Sequence, residues 1–349
     1  MQRNFPASLL TLSALLLLAP AARAWDYEGH RLVNQLALAA LPADFPAFVR
    51  EPANAERIAF LSGEPDRWRN VPDLPIKHSN GMDHYCDLEQ LAEAGLDAAT
   101  VPSLRYEFAA QFAAGRAAHP ANFPAVDPAK NTDHSREWPG FAPWAITEYY
   151  AKLKSAFAYL KAFEEAGTPV EIANAQANVI YLMGVMGHYV GDCAQPLHTT
   201  VHHNGWVGPN PQGYTTSTSI HSWIDGGFYA KAGLKTEGII SRVVPAQVIG
   251  LPVQADSRDP MFVAVMNYLL AQQKLVEPLY ILEKAGKFSR EKTEAVTPEG
   301  REFIEARLLT GGEMLGSIWL TAWKQAGPDV YLRAQLLKRQ AAVAAPAAK

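Results

Sequence analysis

Hydrophobic positions in this chain recur almost everywhere at helical spacing, and alternating apolar–polar runs are scarce, so the pattern predicts an all-α protein. From His30 to Leu41, the residues Val33, Leu36, Ala37, Ala40 and Leu41 share one face, and Pro42 stops the run. A long amphipathic helix is predicted over 144–167 with Gly167 at its end, and Pro169 precedes a second from Val170 to about Asp192. Three further helical segments are predicted near 221–231, 260–286 and 298–325. Pro, Asp and Asn are dense from Pro52 to Leu74 and from Pro120 to Pro143, which predicts surface loops; the Gly-, Asn-, Pro- and Thr-rich stretch from His198 to Ser219 predicts another. With no repeat and no linker, the pattern predicts one domain over residues 25–340 and a disordered Ala/Pro tail over 341–349.

The first 24 residues break this pattern. Arg3 precedes an apolar run from Leu9 to Pro20, and Ala22-Arg23-Ala24 offers a small-x-small cleavage site. That is the arrangement of a secretory signal peptide cut between Ala24 and Trp25, so the mature chain is expected in the periplasm or outside the cell. No later stretch approaches the roughly 18 uninterrupted apolar residues of a membrane-spanning helix, and stable membrane insertion is not expected.

Composition narrows the partners. The 48% hydrophobic content supports a packed globule, and the formal charge of -4 becomes -6 once Arg3 and Arg23 are removed. No lysine/arginine cluster offsets this, which excludes the basic stripe that tracks a long duplex. A polyanionic substrate must instead be held locally, by metal ions or a few arginines. The two cysteines, Cys86 and Cys193, are too few for a disulfide framework, and whether they form one bridge is left open.

The chemistry lies in the histidines. His188 and Asp192 stand four apart in a helical pattern, so both project from one face and converge on one point. Pro196 breaks that helix, and His198 follows within reach of the same pocket. His221 and Asp225 repeat the spacing on another segment. One such pair is most often a core histidine bonded to a carboxylate; two pairs, His198 between them and His84-Tyr85-Cys86-Asp87 upstream make a metal centre the better reading. There is no His-Glu-x-x-His and no Glu-x-x-His, and a set of imidazoles and carboxylates suits Zn2+.

These motifs taken in order resemble one superfamily. Trp25-Asp26-Tyr27-Glu28-Gly29-His30, Asp66-Arg67-Trp68-Arg69, the His84–Asp87 run, Gly187-His188 through Asp192 to His198, and His221-Ser222-Trp223-Ile224-Asp225 look like the ligand series of the trinuclear-zinc hydrolases. These comprise the S-one and P-one nucleases and the bacterial zinc-dependent phospholipases C. The resemblance implies a multi-helix fold with a tri-zinc cleft. Asp66, His84, His188 and Asp192 would hold one zinc; His198, His221 and Asp225 a second; and the Trp25 amine and carbonyl with His30 and Asp192 a third. It implies a metal-activated water attacking a phosphodiester, with Arg69 binding the phosphate. Asp87 would orient a ligand, act near that water, or cap the following helix.

The resemblance favours nuclease-like activity on single-stranded nucleic acid or 3′-nucleotides, with Tyr85 and Trp206 as aromatic platforms for a base. The alternatives are a phospholipase C acting on phospholipid head groups and a non-catalytic exported zinc-binding protein. His78, His119, His134, His202 and His203 receive no role, the last two lying in a loop typical of solvent-exposed histidines.

Overall fold

The computed structural model describes Trp25 and residues 27–344; the expected signal peptide, 1–24, and residues 345–349 of the expected tail lie outside them. Among the described residues every regular element is helical and none is a strand, as the periodicity predicts. The helices are α1 (Tyr27–Ala40), α2 (Pro52–Leu61), α3 (Glu64–Asn70), α4 (Leu74–Gly81), α5 (Leu88–Glu93), α6 (Arg105–Ala118), α7 (Ala142–Ala166) and α8 (Pro169–Ala194), followed by α9 (Ile220–Ser222), α10 (Tyr229–Ala232), α11 (Thr236–Ile239), α12 (Pro260–Gln273), α13 (Val276–Lys284), α14 (Pro298–Gln325) and α15 (Val330–Ala344).

Helix α8 is the axis of the molecule, packed by α1, α2, α7, α12 and α14. Its start is fixed by a reciprocal capping box: the Thr168 hydroxyl accepts from the Glu171 amide at 3.3 Å, and the Glu171 carboxylate accepts from the Thr168 amide at 2.8 Å. Pro169 at the first helical position supplies the preset φ. Every residue from Met183 to Thr200 is buried, so this half of the helix has no solvent face and the apolar residues surround it.

Close approach of α1 depends on Gly187. A Cβ there would lie 1.6 Å from the Asn34 Oδ1 atom. Asn34 itself is buried and ties three helices together, its Nδ2 donating to the carbonyls of Ile58 at 2.8 Å and Gly184 at 3.0 Å. The glycine thus lets α1 lie against α8 closely enough to bring His30 to Asp192.

Two expectations are corrected. The Pro52–Leu74 stretch is not a loop: it holds α2, α3 and the start of α4, because Pro52 and Pro65 occupy first-turn positions where a missing amide costs nothing. Proline there starts a helix instead of breaking one. The tail expected to be disordered from Ala341 is helical as far as Ala344, where the alanines continue α15 with the best helix propensity available. The connection expected as a loop over 120–143 carries only short 3-10 turns as far as residue 141, and Ala142 and Pro143 already open α7.

Candidate metal centre

Helical spacing places the first pair. His188 and Asp192 lie one turn apart on the buried end of α8, with His188 Nε2 3.3 Å from Asp192 Oδ2. Asp192 also receives His30 from α1 (Nε2–Oδ1 3.3 Å) and His84 (Nδ1–Oδ2 3.0 Å), all with side chains fully buried. His30 stacks on His188 with ring centroids 3.9 Å apart. Asp66, from α3, stands 3.9 Å from His188 Nε2.

The second pair sits on an irregular element. α9 passes into a π-helical turn, Trp223–Phe228, which carries Asp225, with His221 just before it; such turns recur at functional sites. His221 Nε2 is 2.8 Å from Asp225 Oδ2 and 2.9 Å from His198 Nε2. His198 sits on a 3-10 turn, Pro196–Thr199, begun by Pro196 where α8 ends.

Three groups emerge whose candidate donor atoms lie within 4.8 Å of one another: His30, His188 and Asp192; Asp66, His84 and His188; and His198, His221 and Asp225. They are the residues anticipated from sequence, but His188 stands in two of the groups where Asp192 was expected to be the shared residue. Trp25, whose amine and carbonyl complete the anticipated set, is buried beside them, its indole Nε1 donating to the Gly191 carbonyl at 2.9 Å.

The ring orientations favour metal binding. His188 Nδ1 donates to the Ser62 carbonyl at 2.7 Å, and His198 Nδ1 to the His84 carbonyl at 2.7 Å, which leaves each Nε2 with a lone pair facing the cluster. Gln195 does the same for a carboxylate: its Nε2 donates to Asp225 Oδ1 at 2.6 Å, while its Oε1 accepts from the Leu197 amide at 2.7 Å. Asp192 Oδ1 and Asp225 Oδ2 are buried and make no well-aligned hydrogen bond among the described residues, although His30 Nε2 lies 3.3 Å and His221 Nε2 2.8 Å from them. Buried acceptors left unmade are costly, and a divalent cation is a partner that would satisfy these carboxylate oxygens together with the ring nitrogens facing them. The residues present fit zinc.

Electrostatics agree. Burial would push the Asp192 carboxyl up, but His188 and His198 beside it hold it well below the usual carboxylate range. Asp225, likewise opposed by burial, is lowered by His221 and His198. Burial, reinforced by Arg69, lowers His84 to about 3, and burial with His188 lowers His30, so both stay neutral and available as ligands. His198 goes the other way, to about 8, because Asp192 and Asp225 outweigh its burial.

The cluster opens onto a cavity of about 410 Å³ lined by Arg69, Tyr85, Asp87, His198 and His221 among others. Arg69 Nε pairs with Asp66 Oδ1 at 2.9 Å, which fixes the guanidinium at the rim of the Asp66 group. Asp87 holds the N-cap position of α5, yet its side chain caps nothing and faces the cavity instead. Burial and then Glu89 raise its carboxyl to about 8. A larger groove of about 660 Å³, on the far side of Trp138, touches none of the metal-group residues.

Two placements differ from expectation. Trp206 does not line the cavity; it stacks on His202 (4.0 Å, 5° between planes) and packs edge-on against Tyr280, because this aromatic cluster anchors the 198–219 loop to α13. Of the two aromatic candidates, Tyr85 alone is in position. His203, given no role from sequence, lines the cavity with its Nδ1 3.8 Å from Asp87 Oδ1. Gln195 and Arg136, a further lining residue, receive no role from sequence: Gln195 stands inside the Gly187–His198 motif but its partner Asp225 is distant in sequence, and Arg136 lies outside every motif. Cys86 and Cys193 are both buried free thiols, so the bridge left open by the sequence is not formed.

Comparison with protein-family models, with curated proteins and with solved structures returned no match for this chain.

Proposed function

We propose that this chain is an exported zinc-dependent phosphodiesterase with nuclease-like preference, of the trinuclear-zinc type that its motifs resemble. The observation carrying the reading is the convergence of three buried His/Asp groups beside one arginine-lined cavity. His198, His221 and Asp225 would hold one zinc, Asp66, His84, His188 and Asp192 a second, and His30 with Asp192 and the processed Trp25 amine a third. When bound, zinc lowers the pKa of a coordinated water to near neutrality and screens phosphate charge.

The remaining work falls to side chains. Arg69, held by Asp66, presents a planar fork to phosphate oxygens and stabilises charge that develops on them. Tyr85 offers a ring to a base at the cavity wall. Asp87, protonated at neutral pH, is able to donate a proton toward a leaving oxygen or a base edge, with His203 beside it.

The decisive experiment is metal content by native mass spectrometry on processed protein beginning at Trp25, together with assays on single-stranded DNA, 3′-nucleotides and phosphatidylcholine. Three zinc ions per chain and chelator-sensitive cleavage of nucleic acid are expected. Turnover of phosphatidylcholine alone would move the assignment to phospholipase C, and bound zinc without turnover of any of the three would overturn an enzymatic role.

A further inference from the structure

The connection between α6 and α7 contributes Ser135, Arg136 and Trp138 to the cavity that His198 and His221 also line. Its short 3-10 turn, Ser135–Glu137, is pinned on several sides: the Arg136 amide donates to Asn131 Oδ1 at 3.0 Å, Arg116 donates to the Glu137 carbonyl at 2.6 Å, and His78 Nδ1 meets the Asp133 carbonyl at 2.7 Å. The carboxylates nearest in sequence are already engaged. Glu137 accepts from Asn131 at 2.9 Å and lies 3.2 Å from His134, while Asp133 accepts from the Ser135 hydroxyl at 2.9 Å. Arg31, Arg105, Arg333 and Arg339 each pair with a carboxylate; the Arg136 guanidinium is exposed and has no ion pair among the described residues.

Two guanidiniums therefore line one cavity, Arg69 at the metal groups and Arg136 on the α6–α7 connection. The carboxyl group among the lining residues is that of Asp87. A second phosphate would find there a fork suited to bidentate binding.

We propose that Arg136 is a specificity-determining residue that binds a second phosphate of the substrate, the one next along a nucleic-acid strand, while the ester to be cleaved lies at Arg69. This rests on the phosphodiesterase reading and names its substrate class as a phosphoester carrying a neighbouring anionic group.

Calorimetry on zinc-loaded, processed protein tests it independently of turnover, with a non-hydrolysable 3′-phosphonate analogue of adenosine 3′,5′-bisphosphate and with adenosine 5′-monophosphate as probes. The wild type should bind the bisphosphate analogue roughly tenfold or more tightly than the monophosphate, in line with a charge-assisted bidentate contact. Arg136→Gln should abolish that ratio while leaving monophosphate affinity within about twofold, and Arg136→Lys should retain part of it, as a point charge without the fork. An unchanged ratio in Arg136→Gln, or equal weakening of both ligands, overturns the proposal. Absence of hydrolysis would sink the enzymatic reading and leave this binding comparison intact; hydrolysis with an unchanged ratio would sink the role of Arg136 alone.

Discussion

His188 donates its Nδ1 proton to the backbone carbonyl of Ser62 at 2.7 Å, and this one bond decides which nitrogen faces the cluster. The carbonyl belongs to the turn between α2 and α3, so the segment just before the helix that delivers Asp66 sets the tautomer of the histidine beside it. The one remaining lone pair of His188, on Nε2, stands within reach of two of the three groups.

Removal of His188 is accordingly expected to empty the group it shares with Asp66 and His84. His188→Ala should lose one zinc ion per chain, as read by native mass spectrometry. Full zinc content in this variant would show that the ring is not a ligand.

Gln195 touches no metal in this scheme, yet it holds Asp225 by a 2.6 Å bond. Gln195→Leu should weaken zinc at the His198, His221 and Asp225 group by about 10- to 100-fold, the usual cost of losing a residue that orients a ligand. Zinc-buffer titration measures it, and retention of wild-type affinity would refute the orienting role.

Gly187→Ala should destabilise the fold by roughly 1–3 kcal/mol, since the added methyl overpacks a full interior and displaces buried Asn34. Urea unfolding of the metal-free protein would show it. Adding Asn34→Ala should recover part of the loss, because the clash is with that side chain.

The carboxyl of Asp87 gives a pH signature. Folded, it keeps its proton up to about pH 8, whereas an unfolded aspartate loses it near pH 3.9. Between those values the folded state binds more protons, so stability falls as pH rises through the window. The penalty is absent below about pH 4 and complete above about pH 8, on the order of a few kcal/mol. Asp87→Asn removes it. The melting-temperature gain of the metal-free variant over wild type should therefore be near zero at pH 4 and largest at pH 9; a pH-independent gain would contradict the buried, protonated carboxyl.

The legible part of this site was the part with a fixed sequence period. His188 and Asp192, and His221 and Asp225, declare a shared face by their spacing alone, and the helices bearing them follow from the same rule. Tertiary partnerships were not legible. Trp206 in its Gly- and Asn-rich loop gives no sign that it packs on Tyr280, which comes from α13, and His203 gives none that its loop folds back over Asp87. The prolines at Pro52 and Pro65 were ambiguous for a local reason: the residue that ends one helix is equally suited to open another. Arg136 carries no sequence signal either, because only the fold brings the 119–141 connection to the cavity that His198 and His221 line.

The unbroken burial from Met183 to Thr200 has a consequence for how such a protein varies over time. Along α8, the residues before Met183 include Val170, Ala173 and Tyr181 with solvent exposure, and can drift freely. Beyond Met183 each position answers either to packing or to the His/Asp cluster, so homologous chains should diverge at one end of this helix and remain nearly fixed at the other.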